Sequence, residues 1–295
     1  MLLISCKSKI PTEYCEELVQ LAKDGNPEAQ YNLGICYVEG QGVHKSIDEG
    51  YSLIAQAANN GYPPAQNDMG LAYMKGIGYS PNINEAVKWF RKAMEHDYPE
   101  AYANMGVCYI EGKGVKKNQV EALRLFKIAA EKDDKVGLYN LGTCFYEGIV
   151  VSSDIDKAMD LWEKSSEYGY GQASFNLGLL YHKGTEVPMD KEKAFHYFEE
   201  AGHKGVPVAL TMMAQYYFEG TCVPQDLNKG LSCIKIAAEA NEPRAQYLYG
   251  TLYQDGELVS KDTQEAIKWY KKSAKQGFNQ ARIKLMELGV NDYEY

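Results

Sequence analysis

The fold is decided by residues 99–134, which read PEAYANMGVCYIEGKGVKKNQVEALRLFKIAAEKDD. The same pattern recurs at a constant offset of 36 residues, seven times between Asn26 and Gly277, with no insertion or deletion. A fixed period of this size is typical of repeat proteins, in which each repeat is one supersecondary unit. We therefore expect the 295 residues to form an array of repeats rather than two ordinary globular domains.

Each repeat predicts two helices with clear ends. Proline opens most first helices at a position whose N–H would lack an intrahelical acceptor, and a glycine ends them. A Ser, Asn or Asp can then cap the second helix, and in four repeats a Glu three residues later completes a capping-box pattern. The ending glycines are Gly40, Gly76, Gly112, Gly148, Gly184, Gly220 and Gly256; the caps are Ser46, Asn82, Asn118, Asp154, Asp190, Asp226 and Asp262; the glutamates are Glu49, Glu85, Glu121 and Glu265.

Two other sets of residues concern packing and turns. A column of small residues in the first helices lets two helices approach closely, and Asp or Asn replaces glycine in some turns between repeats because both tolerate left-handed backbone. The small column is Gly34, Gly70, Gly106, Gly142, Gly178, Ala214 and Gly250, and the replaced turn residues are Asp97, Asp133 and Asn241.

The predicted organisation has three parts. Residues 1–25 form an N-terminal segment with a capping half-repeat helix, residues 26–277 form seven repeats, and residues 278–295 form a C-terminal capping helix with a short tail. Because a single two-helix repeat cannot bury its apolar face alone, we expect neighbouring repeats to stack into a solenoid with a continuous core.

The third repeat carries a family likeness. Its residues Ala101, Met105, Gly106, Tyr109, Gly112, Gly114, Val115, Glu121, Ala122, Leu125, Phe126 and Ala129 stand in the order of a known pattern. The pattern resembles the Sel1-like repeat (SLR), a relative of the tetratricopeptide repeat. The resemblance implies an all-α fold, a right-handed α–α superhelix of helix–turn–helix repeats, and a non-enzymatic scaffold for protein complexes. Fold alone does not dictate function.

In such solenoids the first helices line the concave surface, so their variable columns predict a groove. The candidates are Tyr31, Tyr139, Phe175 and Tyr247 in one column, Ile110, Tyr146, His182 and Phe218 in a second, and Asn104, Asn140 and Asn176 in a third. Aromatic and aliphatic side chains favour a bound peptide or helix, and amides can hold the backbone of an extended segment. Packing between helices and hydrogen bonding within the repeat are the alternative interpretations.

Composition and motifs exclude several functions. The formal net charge of −9 disfavours nucleic acid, which needs basic residues, and no apolar run reaches the roughly 18 residues of a membrane span. His196 and His203 share a helix face with Glu199 and Glu200, but their columns indicate a solvated surface. We therefore expect no metal, no cofactor, and no catalytic residues.

The cysteines bear on the compartment. Seven is an odd number, and Cys36, Cys108 and Cys144 occupy an apolar column of the first helix, so we interpret them as small buried residues of a reduced, cytoplasmic protein. Against this, Leu3, Ile4, Ser5 and Cys6 resemble a bacterial lipobox. Only five residues precede Cys6, fewer than a signal peptide needs. We therefore predict a cytoplasmic protein, with a lipoprotein or periplasmic protein as the alternative.

The sequence as a whole predicts a non-catalytic protein-interaction scaffold that binds a protein segment along the concave groove. Three alternatives remain open. The first is a bacterial immunity or cell-envelope assembly protein with one dedicated partner, which the negative charge would suit if that partner is basic. The second is a hydrolase of cell-wall-type substrates, and the third is a self-associating structural rod.

Overall fold

The chain is built from helices. The structure, a computed structural model, describes residues 10–290, so the lipobox-like Cys6 lies outside the described residues. This part of the chain contains sixteen α-helices and no strand, which confirms the predicted all-α fold of helix–turn–helix repeats. In chain order the helices are α1 (Glu16–Lys23), α2 (Pro27–Glu39), α3 (Ile47–Asn59), α4 (Pro63–Lys75), α5 (Ile83–Glu95), α6 (Pro99–Glu111), α7 (Gln119–Glu131), α8 (Lys135–Glu147), α9 (Ile155–Glu167), α10 (Gly171–Lys183), α11 (Lys191–His203), α12 (Pro207–Glu219), α13 (Leu227–Glu239), α14 (Pro243–Asp255), α15 (Thr263–Lys275) and α16 (Asn279–Glu287).

The described helices form two compact units, which divide between Ser153 and Asp154. Unit 1 contains α1 to α8, and unit 2 contains α9 to α16. Helices α2 to α14 with even numbers are the first helices of the seven repeats, and α3 to α15 with odd numbers are the second helices. Both units therefore begin with a second-type helix and end with a first-type helix.

Within each unit, a first helix packs against the second helix of its own repeat and against the second-type helix that precedes it. The small-residue column makes the first of these contacts possible. A Cβ atom added at Gly70 would lie 2.4 Å from the ring of Phe90, and one added at Gly106 would lie 2.4 Å from the ring of Phe126. The predicted close approach is confirmed, and a phenylalanine ring of the second helix fills the space.

Left-handed residues end the helices where the sequence predicted them. The seven glycines that follow the first helices have φ between 68° and 78°. At the turns between repeats, Asp97, Asp133 and Asn241 have φ of 59°, 60° and 63°. Both predictions are confirmed. Asp and Asn adopt this conformation more readily than most residues, because their short polar side chains can hydrogen-bond locally.

The second helices are capped differently from the predicted capping box. In the third repeat the N–H of Glu121 donates to Oδ1 of Asn118 at 3.1 Å, as expected. The N–H of Asn118, however, donates to the backbone carbonyl of Tyr109 at 2.9 Å, and Glu121 pairs with Arg124 at 2.7 Å. The same bond to the preceding first helix recurs at Ser46, Asn82, Asp190, Asp226 and Asp262. The predicted return bond, in which the glutamate would accept from the N–H of the cap residue, is therefore wrong. A backbone carbonyl of the preceding first helix accepts from that N–H instead.

Buried glutamines join neighbouring helices. Gln30 donates from Nε2 to the carbonyl of Ala22 in the last turn of α1 at 3.3 Å, and its Oε1 accepts from Nδ2 of Asn60 at 3.0 Å. One side chain thus connects α1, α2 and α3, and it satisfies a carbonyl that the end of α1 leaves without a helical partner. Gln66 and Gln246 occupy the same position of their repeats and make the same bond to a carbonyl.

Cys36, Cys108 and Cys144 lie in the core of the first helices as free thiols. Burial raises the pKa of Cys108 and of Cys144 to about 11, because a thiolate loses its solvation in an apolar surrounding. These side chains are the small buried residues that the sequence predicted.

Candidate functional site

One side of each first helix keeps contact with solvent. Positions 28, 32, 35 and 39 of α2 are half-buried or exposed, and so are their equivalents in the other repeats except Met212. Residues at this spacing lie one helical turn apart on a single line. Positions 29, 33 and 36, on another side of α2, are buried. We refer to positions 28, 32, 35 and 39 with their equivalents as the open stripe.

The open stripe of unit 1 is acidic. Its charged residues are Glu28, Glu39, Asp68, Lys75, Glu100, Glu111 and Glu147, six carboxylates against one ammonium. In unit 2 they are Lys183, Glu219, Arg244 and Asp255, two of each sign. Half-buried aliphatic residues lie between the charges of unit 1, at Ile35, Leu71 and Val107. A segment with basic and aliphatic side chains would complement this surface.

The sequence-predicted groove residues of unit 1 divide between two locations. Asn104 and Asn140 lie on the open stripe, where Asn104 donates to Oδ1 of Asn67 and Asn140 to the carbonyl of Val136, both at 2.8 Å. Tyr31 instead reaches the next repeat. The remaining candidates of unit 1 are half-buried: Ile110, Tyr139 and Tyr146.

In unit 2, two of the predicted residues pack between helices. Phe175 is only 9% exposed, and its ring centroid lies 5.7 Å from that of Phe198. His182 places its Nδ1 2.8 Å from the hydroxyl of Tyr216, and burial lowers the pKa of the imidazole. Asn176 lies on the open stripe. The structure does not bring Phe175 and His182 to that stripe.

Phe218 and Tyr247 also contact neighbouring helices of unit 2. A Cβ atom at Gly230 would lie 2.4 Å from the ring of Phe218, which therefore covers the backbone of α13. The ring of Tyr247 lies 5.4 Å from that of Phe278. Phe218 and Tyr247 are both half-buried, so each residue retains some contact with solvent.

Sequence reasoning missed Asp68. It fills the column of Asn104 in the second repeat, and a carboxylate among amides is the signal that points to it. The Tyr31 hydroxyl donates to Asp68 Oδ2 at 2.9 Å. Burial raises the pKa of Asp68, hydrogen bonds from Tyr31 and Asn67 oppose this shift, and the Glu100 carboxylate adds to it.

Three tyrosines accompany this carboxylate: Tyr31 in α2, and Tyr62 and Tyr98 at the N-terminal caps of α4 and α6. The rings of Tyr31 and Tyr62 lie 5.3 Å apart at 55°. Burial raises the pKa of Tyr98, and the nearby carboxylates of Glu100 and Asp68 raise it further. Since all five side chains are half-buried, each retains some accessible surface. We call Tyr31, Tyr62, Asp68, Tyr98 and Glu100 the Asp68 patch.

The carboxylates of the Asp68 patch have no paired cation. Among the ion pairs of the described residues, none includes Asp68 or Glu100. Lys75 lies two turns further along α4 and lowers the pKa of Asp68. Its effect is smaller than those of burial, the hydrogen bonds and the Glu100 carboxylate. The Asp68 carboxylate is therefore partly desolvated, and no lysine or arginine of the described residues forms an ion pair with it.

A separate cleft of about 590 Å³ lies among α1, α2 and α3. Apolar Val19, Leu33 and Leu53 line it together with charged Lys23 and Asp48. Within residues 10–290, His, Cys, Asp and Glu side chains form no group of three that could hold a metal ion. None of the helices described has the length and apolar composition needed to cross a bilayer.

Helical hairpins repeated every 36 residues, with an open stripe on their first helices, define an α-solenoid. The chain belongs to the Sel1 repeat family, whose model matches residues 27–62, 63–98, 99–134, 136–170, 171–206, 207–242 and 243–278. This confirms the resemblance inferred from the third repeat. Sel1 repeat proteins are generally non-catalytic scaffolds for protein–protein interaction.

Solved structures include relatives along most of the chain. c5321, a protective antigen present in uropathogenic Escherichia coli strains, is 30% identical, with a TM-score of 0.62 over 97% of this chain and 61% of its own. A Sel1 repeat protein from Oxalobacter formigenes is 27% identical, with a TM-score of 0.67 over 92% and 79%. The present chain thus spans 61% of the length of c5321.

A more distant likeness shows the fold alone. The immunity protein PA5088 from Pseudomonas aeruginosa is 17% identical, with a TM-score of 0.53 over 74% of this chain and 82% of its own. No protein of curated function matches the chain in sequence.

Proposed function

We propose that this chain is a non-catalytic scaffold that binds a segment of a partner protein along the open stripe of its first helices. The observation that carries the proposal is the composition of that stripe in unit 1, with six carboxylates, one lysine and a row of half-buried aliphatic residues. The aliphatic groups supply apolar contact area, and the carboxylates favour basic partners and speed their association.

A charge-reversal pair tests the proposal. Glu28→Lys with Glu147→Lys changes two exposed positions of the open stripe. The matched control, Glu95→Lys with Glu131→Lys, makes the same change in net charge on the second helices α5 and α7, also at exposed positions. Affinity capture from lysate, followed by binding measurements with the purified partner, should show loss with the stripe variant and retention with the control.

The outcomes separate surface from net charge. Equal loss in both variants would mean that overall charge, and not the stripe, controls binding. Unchanged binding in both variants would mean that the open stripe does not bind the partner. The cleft among α1, α2 and α3 would then be the next candidate site. Circular dichroism of both variants should match the unmodified chain, since all four positions are exposed.

A second candidate is a dedicated binder of one basic partner, as an immunity or cell-envelope assembly protein would be. The net charge of −9 favours it through electrostatic steering. The same capture experiment distinguishes the two, because a dedicated binder retains one protein with an association rate that falls steeply as salt is raised, whereas a general scaffold retains several.

A further inference from the structure

The Asp68 patch differs from the rest of the open stripe in combining an aromatic surface with an unpaired carboxylate. Tyr31 and Tyr62 present rings 5.3 Å apart, and the Tyr31 hydroxyl donates to Asp68 at 2.9 Å. The hydrogen bond that Tyr31 donates to Oδ2 orients this carboxylate.

We propose that the Asp68 patch is a binding site for an arginine side chain of the partner segment. This inference rests on the scaffold function proposed above and names the chemistry of one position in that interaction. A guanidinium stacks on tyrosine faces, and its planar fork can donate two hydrogen bonds to one carboxylate.

Charge and exposure make a cation the fitting occupant. Asp68 and Glu100 take part in no ion pair of the described residues. A carboxylate withdrawn from water without a cation is unfavourable, and an incoming positive charge relieves that cost. Arginine fits better than lysine because it is planar and more weakly hydrated, whereas an ammonium is a strongly hydrated point charge.

The repeat itself supplies a conservative variant. Asn104 and Asn140 occupy the position of Asp68 in the next two repeats, so Asp68→Asn removes the charge while keeping a side chain that this position accepts elsewhere. The amide oxygen can still accept from Tyr31. Glu131→Gln is the matched control, because it removes one negative charge at an exposed position of α7, outside the open stripe and the Asp68 patch.

The experiment is a titration of the full chain, carrying ¹³C-labelled tyrosine rings, with the capped peptide acetyl-Gly-Arg-Gly-amide, followed by NMR. The same peptide with lysine or with uncharged citrulline in place of arginine gives the comparisons. We expect saturable shifts of the Tyr31, Tyr62 and Tyr98 ring signals with the arginine peptide and none with citrulline. Binding should be at least tenfold weaker in Asp68→Asn but within twofold of the unmodified chain in Glu131→Gln.

Three results would overturn the assignment: citrulline binding as well as arginine, lysine binding as well as arginine, or Asp68→Asn binding as well as the unmodified chain. Signals assigned through Tyr62→Phe show whether the rings of the patch respond. The peptide titration and the charge-reversal experiment can fail independently, because the titration does not use the captured partner. If the arginine peptide does not bind, the charge-reversal pair still tests the scaffold proposal. If the charge-reversal pair has no effect, the titration still tests the arginine site.

Discussion

At the scale of single residues, the repeat allows equivalent positions to be compared within one protein. Asp134 and Asn26 both cap a first helix, and Asp134 Oδ1 accepts from the N–H of Gly137 at 2.6 Å, as Asn26 Oδ1 does from Ala29 at 2.9 Å. Asp134 is only 6% exposed. Burial raises its pKa to about 6, and the Glu100 carboxylate adds to the shift.

Asp134→Asn should therefore stabilise the protein at pH 7 and have little effect at pH 4. The folded protein holds the proton of Asp134 up to about pH 6, whereas the unfolded chain releases it near 3.8, so stability falls as pH rises between these values and stays lower above them. The gain at pH 7 should be about 3 kcal/mol, since folding raises the pKa of Asp134 from 3.8 to about 6. Urea unfolding at both pH values measures it.

The control is Asp262→Asn, which changes an exposed cap in unit 2. Its effect on the free energy of unfolding should be small, because the position is exposed. If Asp134→Asn changed stability equally at pH 4 and pH 7, the carboxyl of Asp134 would not carry the cost that its burial indicates.

Val150 marks a second residue-scale departure from the pattern. It has φ of 67° where Gly42, Gly78 and Gly114 have 69°, 69° and 68°. A β-branched residue in this region is strained, so Val150→Gly should raise stability by about 0.5 to 1 kcal/mol after the entropy of glycine in the unfolded chain is counted. The midpoint of urea unfolding should rise. Ser152→Gly in the same loop should lower it or leave it unchanged, and the opposite order would contradict the assignment of strain.

At the scale of helices, the caps and not the glutamates should hold the starts of the second helices. Asn118→Ala removes the acceptor for the N–H of Glu121 and should cost about 1 kcal/mol. Glu121→Ala loses only an exposed pair with Arg124, worth about 0.3 kcal/mol. Thermal unfolding of both variants measures the difference. If the two variants lost the same stability, Glu121 would contribute to the cap as much as Asn118 does, as a reciprocal capping box predicts.

Helix ends were predictable because each cap is a local interaction. The side chain that caps a second helix bonds to an N–H only three residues later, and a left-handed residue ends a helix through its own backbone. The backbone bond from Asn118 to Tyr109 was missed. It depends on how the loop folds back onto the first helix, which the pattern of caps does not specify.

At the scale of the whole molecule, the division at residues 153 and 154 falls inside the fourth repeat. Unit 2 begins with α9, a second-type helix that packs on α10 as α1 packs on α2 in unit 1. We therefore expect a fragment of residues 154–295 to be helical and to unfold cooperatively. A fragment of residues 171–295, which lacks α9, should melt at a lower temperature because it exposes the face of α10 that α9 covers.

Circular dichroism melts of the two fragments test this expectation. A shorter fragment that melts no lower than the longer one would show that α9 does not cap unit 2. The 36-residue period passes through the division unchanged, so the sequence contained no sign of it.

The sequence by itself determined the family, the number of repeats, the helices and their ends, since these follow from local chemistry repeated at a constant period. Only the tertiary structure decided which side of the first helices is open and that Tyr31 meets Asp68, 37 residues along the chain. That meeting depends on how one repeat is rotated against the next. Because side-chain packing between repeats sets this rotation, a column of aligned residues could not distinguish the open stripe from the neighbouring positions that pack between helices.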